Sequence, residues 1–140
     1  MKHLISIVLF LTFSSATYKN NNTEKLGLTE VSKIISTSFK GGNSDLLSSC
    51  LDSEIELIID GEKIEFQKLP SNQAKNILNS FFRKNPPLSF SYVYQGNSSS
   101  ELKYSIGNYR SKNSDYYVYM LIKKTKNNQY LINTLQLKKG

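Results

Sequence analysis

Few residues of this chain have side chains suited to acid–base or metal chemistry. The 140 residues contain one histidine, His3, and one cysteine, Cys50. His3 lies in an N-terminal segment that we predict to be cleaved, so the mature chain would lack an imidazole. That excludes a His–Asp dyad and a zinc site built from histidine and cysteine. Cys50 then has no histidine to activate its thiol, and we predict that it is a small buried apolar residue.

Tyrosine is the residue type that stands out. Eight tyrosines fall in or beside predicted strands: Tyr92, Tyr94, Tyr104, Tyr109, Tyr116, Tyr117, Tyr119 and Tyr130. In the strand predicted over residues 116–124, alternation places two sets of side chains on opposite faces. The first set is Tyr116, Val118, Met120 and Ile122, and the second is Tyr117, Tyr119, Leu121 and Lys123. Both faces are apolar enough to be covered. One of them would meet the helices, and the other would either pack on a partner or present a tyrosine and lysine surface.

The second of these faces has three interpretations. Strand propensity and packing alone account for many tyrosines. A protein contact, including a homodimer across the sheet faces, is the next interpretation, and recognition of a glycan or polyanion by cations and aromatic rings is the third. The residues predicted to form such a surface are Lys103, Tyr109, Tyr117, Tyr119 and Lys123. Single-stranded nucleic acid also binds interleaved basic and aromatic residues, but an exported protein is not expected to bind nucleic acid.

Residues 1–16 have the pattern of a secretory signal peptide. The segment MKHLISIVLFLTFSSA has a lysine near its start, an apolar run from Leu4 to Phe13 and small residues at its end. The run is about half of the roughly 20 apolar residues that a membrane span needs, so we predict cleavage rather than anchoring. We expect a soluble periplasmic or secreted protein with no membrane span after signal removal. A flexible polar lead over residues 17–27 would precede a single domain over residues 28–140.

The charge of the chain is basic and unevenly distributed. The formal net charge is +7 at pH 7. From Leu102 to the end there are eight basic residues and one acid, Asp115, whereas residues 17–101 hold nine bases and ten acids. A charged run of this kind is typical of a solvated face, and attraction to polyanions or a membrane surface is the functional alternative.

Apolar side chains at helical spacing predict three helices. The first runs from a Thr29 cap to Gly41-Gly42, since glycine readily adopts the left-handed conformation that ends a helix. A short second helix follows a cap at Asn43 or Ser44. The third is capped by Ser71 and stops at Asn85-Pro86-Pro87, because the residue before a proline disfavours helix. Its buried stripe is Ala74, Ile77, Leu78, Phe81 and Phe82.

Alternating side chains predict a hairpin before the third helix and four strands after it. Asp60-Gly61 is a two-residue turn signal that joins the two strands of the hairpin. The C-terminal strands are predicted over residues 88–95, 101–110, 116–124 and 129–138. The resulting order is α-α-β-β-α-β-β-β-β, and helices on one face of an antiparallel sheet make an α+β domain.

Three segments resemble a family of small exported Bacteroidetes proteins of unknown function. They are NSFFRKNPPLSFSYVYQG at 79–96, YSIGNY at 104–109 and YVYMLIKKTKNNQYLINTLQL at 117–137. The order of elements resembles the nuclear-transport-factor-2-like, or cystatin-like, fold, a cone in which a curved antiparallel sheet wraps around helices. The resemblance covers about residues 28–138 and implies this fold and export. The family has no assigned reaction, so the resemblance implies no catalytic residue and no cofactor.

A cone of this kind has an interior that is either filled by its own side chains or occupied by a small apolar ligand. The candidate pocket-lining residues are Phe39, Phe81, Phe82, Phe90, Tyr92 and Tyr104. Enzymes with this fold place acids, tyrosines or histidines inside the cone. Here Glu54 and Glu56 face away from it if Ile55 and Leu57 face the helices. Asp52 is therefore the one weak catalytic candidate.

Together these observations predict an uncharacterised exported domain that is non-catalytic and carries no cofactor or metal. It would hold a small apolar ligand in the cone, or dock an envelope protein partner through a tyrosine and lysine face of the sheet. Two alternatives stay open. One is an isomerase, dehydratase or hydrolase that uses Asp52 and a tyrosine, and the other is a structural dimeric envelope protein.

Overall fold

The computed structural model describes residues 26–97 and 99–140. The elements of this part, in chain order, are α1 (Leu28–Gly41), α2 (Ser44–Ser48), β1 (Leu51–Ile59), β2 (Ile64–Pro70), α3 (Ser71–Lys84), β3 (Pro87–Asn97), β4 (Leu102–Ser111), β5 (Asp115–Lys124) and β6 (Tyr130–Lys139). The predicted order and the α+β class are confirmed. The predicted signal peptide, and the polar lead as far as residue 25, lie outside the described residues.

The strands form one six-stranded sheet in the order β2-β1-β6-β5-β4-β3. Neighbouring strands are antiparallel, except that β1 and β6 are parallel. A parallel pair needs a long connection, and here the connection contains β2, α3 and the meander β3–β5. Register shifts between Ile55 and Leu57 and between Tyr92 and Tyr94 mark bulges. Because bulges bend a strand, they allow the sheet to curve around the helices.

The core lies between the helices and one face of the sheet, which we call the inner face. The opposite face is the outer face. Helix α1 contributes Val31, Ile35 and Phe39, each 0% exposed, at the helical spacing that the sequence predicts. Helix α3 buries four of the five residues of its predicted stripe, Ala74, Leu78, Phe81 and Phe82. The fifth, Ile77, is half-buried against the core. Burying a large apolar side chain stabilises a fold by about 1.5–3 kcal/mol, so these two stripes attach the helices to the sheet.

Two of the predicted helix caps are confirmed. Gly42 follows α1 with φ at 62°, in the left-handed region where a side chain would be strained. The Asn43 side chain accepts a hydrogen bond from the Leu46 N–H at 3.0 Å. This bond satisfies one of the free donors at the start of α2.

The predicted caps at Thr29 and Ser71 are wrong. Gly27 is the N-cap of α1 and Pro70 is the N-cap of α3, and neither makes a side-chain cap hydrogen bond. Helix α1 starts earlier because Leu28 packs against the core. Helix α3 starts directly after β2, whose last residue, Pro70, is still paired with β1.

The connection between β1 and β2 is longer than the predicted two-residue turn at Asp60-Gly61. Ile59 pairs with Ile64, so the loop covers residues 60–63. Gly61 and Lys63 both have positive φ, at 84° and 55°. The Asp60 N–H donates to the Leu137 carbonyl of β6 at 2.8 Å. This bond ties the start of the loop to the parallel neighbour β6.

Candidate functional site

The two faces of β5 differ as the alternation predicts. Tyr116, Val118, Met120 and Ile122 are buried on the inner face. Tyr117, Tyr119, Leu121 and Lys123 lie on the outer face, and Tyr117 is 43% exposed. The outer face of this strand is thus a surface on which tyrosine, leucine and lysine side chains are accessible.

The assignment of faces on β4 is a correction to the sequence analysis. Tyr109 pairs with Tyr116 and Lys103 pairs with Ile122, so both share the inner face. Tyr109 is 0% exposed and cannot belong to a surface. Tyr104 pairs with Leu121 on the outer face, so it does not line the interior. Tyr104 and Tyr109 therefore exchange the places that the sequence analysis predicts for them.

Gly107 explains why β4 presents this face inward. A Cβ atom at Gly107 would lie 2.3 Å from Cε2 of Phe90, a distance that atoms do not tolerate. The ring of Phe90, from the paired strand β3, thus occupies the space that a side chain would take. Only a residue without a side chain fits at this inner position.

The candidate pocket-lining rings other than Tyr104 are brought together inside the cone. Phe39 stacks on Phe90 with centroids 5.1 Å apart and meets Phe82 edge-on at 5.6 Å. Phe81 meets Tyr116 edge-on at 4.9 Å. Such edge-to-face and offset pairs are the favoured aromatic contacts. The four phenylalanines are at most 4% exposed, so the rings themselves occupy this part of the interior.

Asn85, which the sequence predicts only as part of a helix stop, joins α3 to two tyrosines of the sheet. The Tyr109 hydroxyl donates to the Asn85 carbonyl at 2.5 Å, and the Tyr116 hydroxyl lies 3.5 Å from Asn85 Oδ1. The Asn85 side-chain amide donates to the Phe81 carbonyl at 3.2 Å. The buried polar atoms at the end of α3 are satisfied in this way, as a buried helix end requires. The only local sequence signal for this role is an asparagine placed directly before two prolines.

The inner tyrosines are hydrogen-bond donors and poor acids. The Tyr92 hydroxyl donates to the Ser32 carbonyl at 2.6 Å. Burial raises the pKa of Tyr92 and of Tyr109 above the ordinary tyrosine value, because a phenolate would lose its hydration. Both hydroxyls stay protonated at neutral pH, and their bonds to backbone carbonyls tie the sheet to α1 and to the end of α3.

Cys50 is buried, as predicted. It is 0% exposed, and its thiol donates to the Leu47 carbonyl at 3.2 Å. Burial raises the pKa of the Cys50 thiol from 9.0 to about 12. Because the reactive form is the thiolate, this thiol is inert at neutral pH. The neutral form is the one that the fold stabilises, so this contribution is complete below pH 9 and is lost as the pH rises from 9 towards 12.

Asp52 lies on the outer side of β1, away from the aromatic interior. Its Oδ1 accepts a hydrogen bond from the Ser53 N–H at 2.7 Å. It lines an open groove of about 560 Å³ whose other lining residues are Glu101, Lys123, Lys124, Thr125, Lys126 and Asn128. The structure thus places Asp52 beside the lysines of the β5–β6 turn, and no tyrosine lines this groove among the described residues.

Tyrosines of three adjacent strands form a row on the outer face. The rings of Tyr94 and Tyr104 are 6.4 Å apart, and those of Tyr104 and Tyr119 are 6.5 Å apart. We call this row and its neighbours the outer tyrosine face, which consists of Tyr94, Tyr104, Ile106, Tyr117, Tyr119 and Leu121. Tyr94 is 54% exposed. Exposed aromatic rings that are contiguous across several strands are a feature of interaction surfaces.

The hydroxyl groups distinguish the outer tyrosines from the others. Tyr92, Tyr109, Tyr116 and Tyr130 each donate a hydrogen bond to another residue. Within residues 26–97 and 99–140, we find no such bond from the hydroxyls of Tyr94, Tyr104, Tyr117 and Tyr119. With respect to the described side chains, those four groups are left to water or to a binding partner.

Charges lie at the sides of the outer tyrosine face. Alternation along β1 places Asp52, Glu54 and Glu56 on the outer face, because Leu51, Ile55 and Leu57, at the other positions of the alternation, are buried. None of these three acids forms an ion pair with another described residue. Lys123 extends from the β5 side of the same face. The apolar centre thus has a lysine next to it on β5, and the acids of β1 lie beyond the intervening strand β6.

The described part of the chain offers neither a metal site nor a membrane-spanning helix. Among its His, Cys, Asp and Glu side chains, no group of three lies close enough together to hold a metal ion. Its helices are all too short or too polar to cross a bilayer.

The chain matches a known family over most of its length. The sequence profile of a domain of unknown function, DUF4783, matches residues 32–138. The crystal structure of a DUF4783 protein from Bacteroides uniformis is 25% identical, with a TM-score of 0.70 over 77% of this chain and 95% of its own. A second, from Bacteroides ovatus, is 28% identical, with a TM-score of 0.69 over 76% and 92%. Among curated proteins, none matches.

More distant structures share the fold. A ketosteroid isomerase-like protein from Erwinia carotovora atroseptica is 11% identical, with a TM-score of 0.62 over 84% of this chain and 97% of its own. Others are nuclear-transport-factor-2-like and cystatin-like proteins. These likenesses confirm the predicted cone fold and concern the fold alone. Because the profile match covers residues 32–138, the chain belongs to the DUF4783 family, whose function is unknown.

Proposed function

We propose that this protein is an exported, non-catalytic domain that binds a partner protein through the outer tyrosine face. The observation that carries the proposal is the row of Tyr94, Tyr104 and Tyr119, whose rings follow one another at 6.4 and 6.5 Å on the side of the sheet away from the helices. Export rests on the signal-peptide pattern of residues 1–16.

The chemistry of the outer tyrosine face suits a protein partner. A tyrosine ring buries a large apolar area, while its hydroxyl can still form a hydrogen bond, and tyrosine is enriched at protein interfaces for this reason. Ile106 and Leu121 lie between the rings and are half-buried. Lys123 follows Leu121 along the outer side of β5, and Glu56 lies in the same row as Leu121, separated from it by Thr134 of β6. An apolar centre with a polar rim is the usual arrangement of a protein-binding surface.

The interior of the cone is the less favoured binding site. A small apolar ligand there would need the space between α1, α3 and the sheet. Phe39 alone contacts the rings of Phe82, Phe90 and Tyr109 at centroid distances of 5.6, 5.1 and 5.8 Å. A ligand would have to displace these rings, which costs the packing that holds the helices to the sheet.

The position of Asp52 argues against the enzymatic alternative. A catalytic base needs to lie within hydrogen-bond reach of its substrate and near a tyrosine that could act as acid. Asp52 instead lines the open groove at the β5–β6 turn. The inner tyrosines Tyr92 and Tyr109 donate to backbone carbonyls. The ketosteroid isomerase-like neighbour shares only the fold, and a shared fold does not imply shared chemistry.

Site-specific photo-crosslinking in the natural host tests this proposal. A photoreactive amino acid would replace Tyr119 on the outer tyrosine face and, in a matched control, Asn79, which is exposed on α3. We expect crosslinked protein adducts from position 119 and few from position 79, because a bound partner covers only the sheet. Equal capture at the two positions, or no capture at either, would contradict the proposal.

A further inference from the structure

We infer that one end of the domain docks on a membrane surface that carries anionic phospholipids. This end, which we call the basic end, lies beyond the row of paired residues Ile59, Leu137, Val118 and Gly107. It includes the β1–β2 loop, the start of β3, the β4–β5 loop and the end of β6. The inference goes beyond the proposed function, because it concerns a lipid partner at this end of the domain rather than a protein on the outer tyrosine face.

The two long helices also finish at the basic end. The Lys84 ammonium at the end of α3 lies 3.7 Å from Oε1 of Glu62 in the β1–β2 loop, and the Lys84 carbonyl accepts a hydrogen bond from the Asn113 side chain in the β4–β5 loop. After the end of α1, a Cβ atom on Gly42 would lie 3.3 Å from Cδ of Pro87, the first residue of β3. The last turns of both helices therefore belong to the basic end.

The net charge of the described domain is concentrated at the basic end. Its eight basic side chains are Lys40, Lys63, Arg83, Lys84, Arg110, Lys112, Lys138 and Lys139, and its three acidic side chains are Asp60, Glu62 and Asp115. These side chains carry a net charge of +5. The other described residues have seven basic and seven acidic side chains, whose charges cancel. The fold thus divides a basic sequence into one charged end and a neutral remainder.

Local structural roles account for half of these cations. Three of them lie in the last turns of α1 and α3, where cations stabilise the negative end of the helix dipole. A fourth, Arg110, pairs with Asp115 at 3.8 Å. The other four form no ion pair with a described residue and are exposed on loops or at the end of β6, namely Lys63, Lys112, Lys138 and Lys139. An anionic surface could therefore contact these four lysines without breaking an ion pair.

An exposed leucine lies among these charges. Leu88 is 61% exposed, more than any other large apolar side chain that the structure describes. It lies at a register shift of the β3–β4 pair, and such a bulge turns a side chain out of the regular alternation. The residue after Leu88 pairs with Arg110, and the Lys112 N–H donates to the carbonyl of Pro86 at 3.2 Å. Leu88 is thus flanked by two basic residues of the neighbouring strand and its loop.

The combination of lysines and an exposed leucine favours a membrane over a soluble polyanion. Each lysine near an anionic bilayer strengthens binding by about fivefold. A leucine side chain that enters the lipid adds to this, because its apolar surface leaves water. An acidic polysaccharide would attract the lysines equally but offers no apolar phase for Leu88. The leucine is therefore the residue that distinguishes the two classes of partner.

Co-sedimentation with vesicles tests the contribution of charge. The protein, purified after export from its host, would be mixed with vesicles of phosphatidylcholine alone or of phosphatidylcholine with phosphatidylglycerol. We expect binding only where phosphatidylglycerol is present. The double variant Lys138→Glu and Lys139→Glu should weaken this binding by about 100-fold or more. No binding to the phosphatidylglycerol vesicles would overturn the inference.

A matched double variant separates the basic end from net charge in general. Lys123→Glu and Lys126→Glu make the same change of charge at the opposite end of β5 and its turn, and all four of these lysines are exposed. We expect this variant to weaken binding by less than about threefold, because charges more than about 10 Å from the surface are screened. Equal losses in the two double variants would overturn the basic end as the docking site.

A tryptophan at position 88 tests whether this side chain enters the lipid. The chain has no tryptophan of its own, so Leu88→Trp would report from that position alone. We expect its emission to shift to the blue when phosphatidylglycerol vesicles are added, because the indole leaves water. Val93→Trp is the matched control, since Val93 is 60% exposed on the same strand but lies outside the basic end. A bound protein whose emission shifts at neither position would overturn insertion of the leucine.

Dextran sulfate, a soluble polyanion, tests the alternative partner. We expect Leu88→Ser to weaken binding to phosphatidylglycerol vesicles by about tenfold and to leave binding to dextran sulfate unchanged. If the protein bound dextran sulfate more tightly than the vesicles and Leu88→Ser altered neither, the partner would be an acidic polysaccharide and the membrane would be overturned. None of these results depends on capture at position 119, so this inference and the proposed function can fail separately.

Discussion

Replacing Phe39 with alanine should lower the free energy of unfolding by about 3–5 kcal/mol, which is the usual cost of removing a fully buried aromatic ring. Phe39 is 0% exposed, and its ring contacts those of Phe82, Phe90 and Tyr109. The cavity would open where α1, α3 and the sheet meet, so no single neighbour could fill it by a small shift. Urea unfolding measures the change as a lower midpoint with an unchanged slope.

Tyr119→Ala is the matched control for this prediction. Tyr119 is also an aromatic residue on a regular element, but it lies on the outer face and is only half-buried. At a concentration where the protein is monomeric, we expect its loss to cost less than about 1 kcal/mol, in line with other surface substitutions. If Phe39→Ala cost no more than Tyr119→Ala, the interior of the cone would be loosely packed. A loosely packed interior could accommodate a small apolar ligand.

Gly107→Ala should destabilise the fold by about 1–3 kcal/mol through overpacking. The new methyl group would lie 2.3 Å from Cε2 of Phe90. The Phe90 ring cannot simply move away, since Phe39 stacks on it at 5.1 Å. Either the ring leaves its rotamer or β3 and β4 separate, and both cost free energy.

A double-mutant cycle identifies the cause of this destabilisation. Phe90→Leu removes the atoms that the methyl group would meet, so Gly107→Ala should cost less than about 1 kcal/mol in that background. Gly41→Ala is the matched control, because nothing lies within 4 Å of its new methyl group. It should be neutral or slightly stabilising. Equal costs of Gly107→Ala in both backgrounds would show that Phe90 is not the obstacle, and the account of the β4 face would be wrong.

The order of the elements was predictable because its signals are local. The helical stripes of α1 and α3 are spaced over a few turns, and their stop signals follow directly at Gly42 and at Asn85-Pro86-Pro87. The two faces of β5 could be separated because alternation along one strand needs no knowledge of its neighbours. These predictions are confirmed in the structure.

The face of β4 was not predictable from its own alternation. Tyr104 and Ile106 are apolar and alternate with Ser105 and Gly107, so local hydrophobicity suggests that the first pair faces the core. The pairing with β5 and the ring of Phe90 over Gly107 instead place Ser105 and Gly107 on the inner face and Tyr104 and Ile106 on the outer face. Both are contacts between strands, and they depend on register, which a one-residue shift reverses.

The outer tyrosine face was only partly predictable for the same reason. Tyr117, Tyr119 and Lys123 were assigned correctly to one side of β5. Their neighbours Tyr94 and Tyr104 come from β3 and β4, and a bulge between Tyr92 and Tyr94 shifts the alternation of β3 by one residue. A bulge of this kind leaves no clear mark in the sequence, so the row of rings emerges only in the structure.

Hydroxyl-radical footprinting of the protein inside intact host cells tests most directly whether the outer tyrosine face is occupied by a partner protein. Oxidation of each aromatic residue in cells would be compared with that of the purified protein, diluted until it is monomeric. We expect Tyr104 and Tyr119 to be oxidised several-fold less in cells, because a partner covers them. Phe66, which is 43% exposed on the edge strand β2, should be oxidised equally in both samples. Equal oxidation of Tyr119 in cells and in the dilute sample would contradict the account.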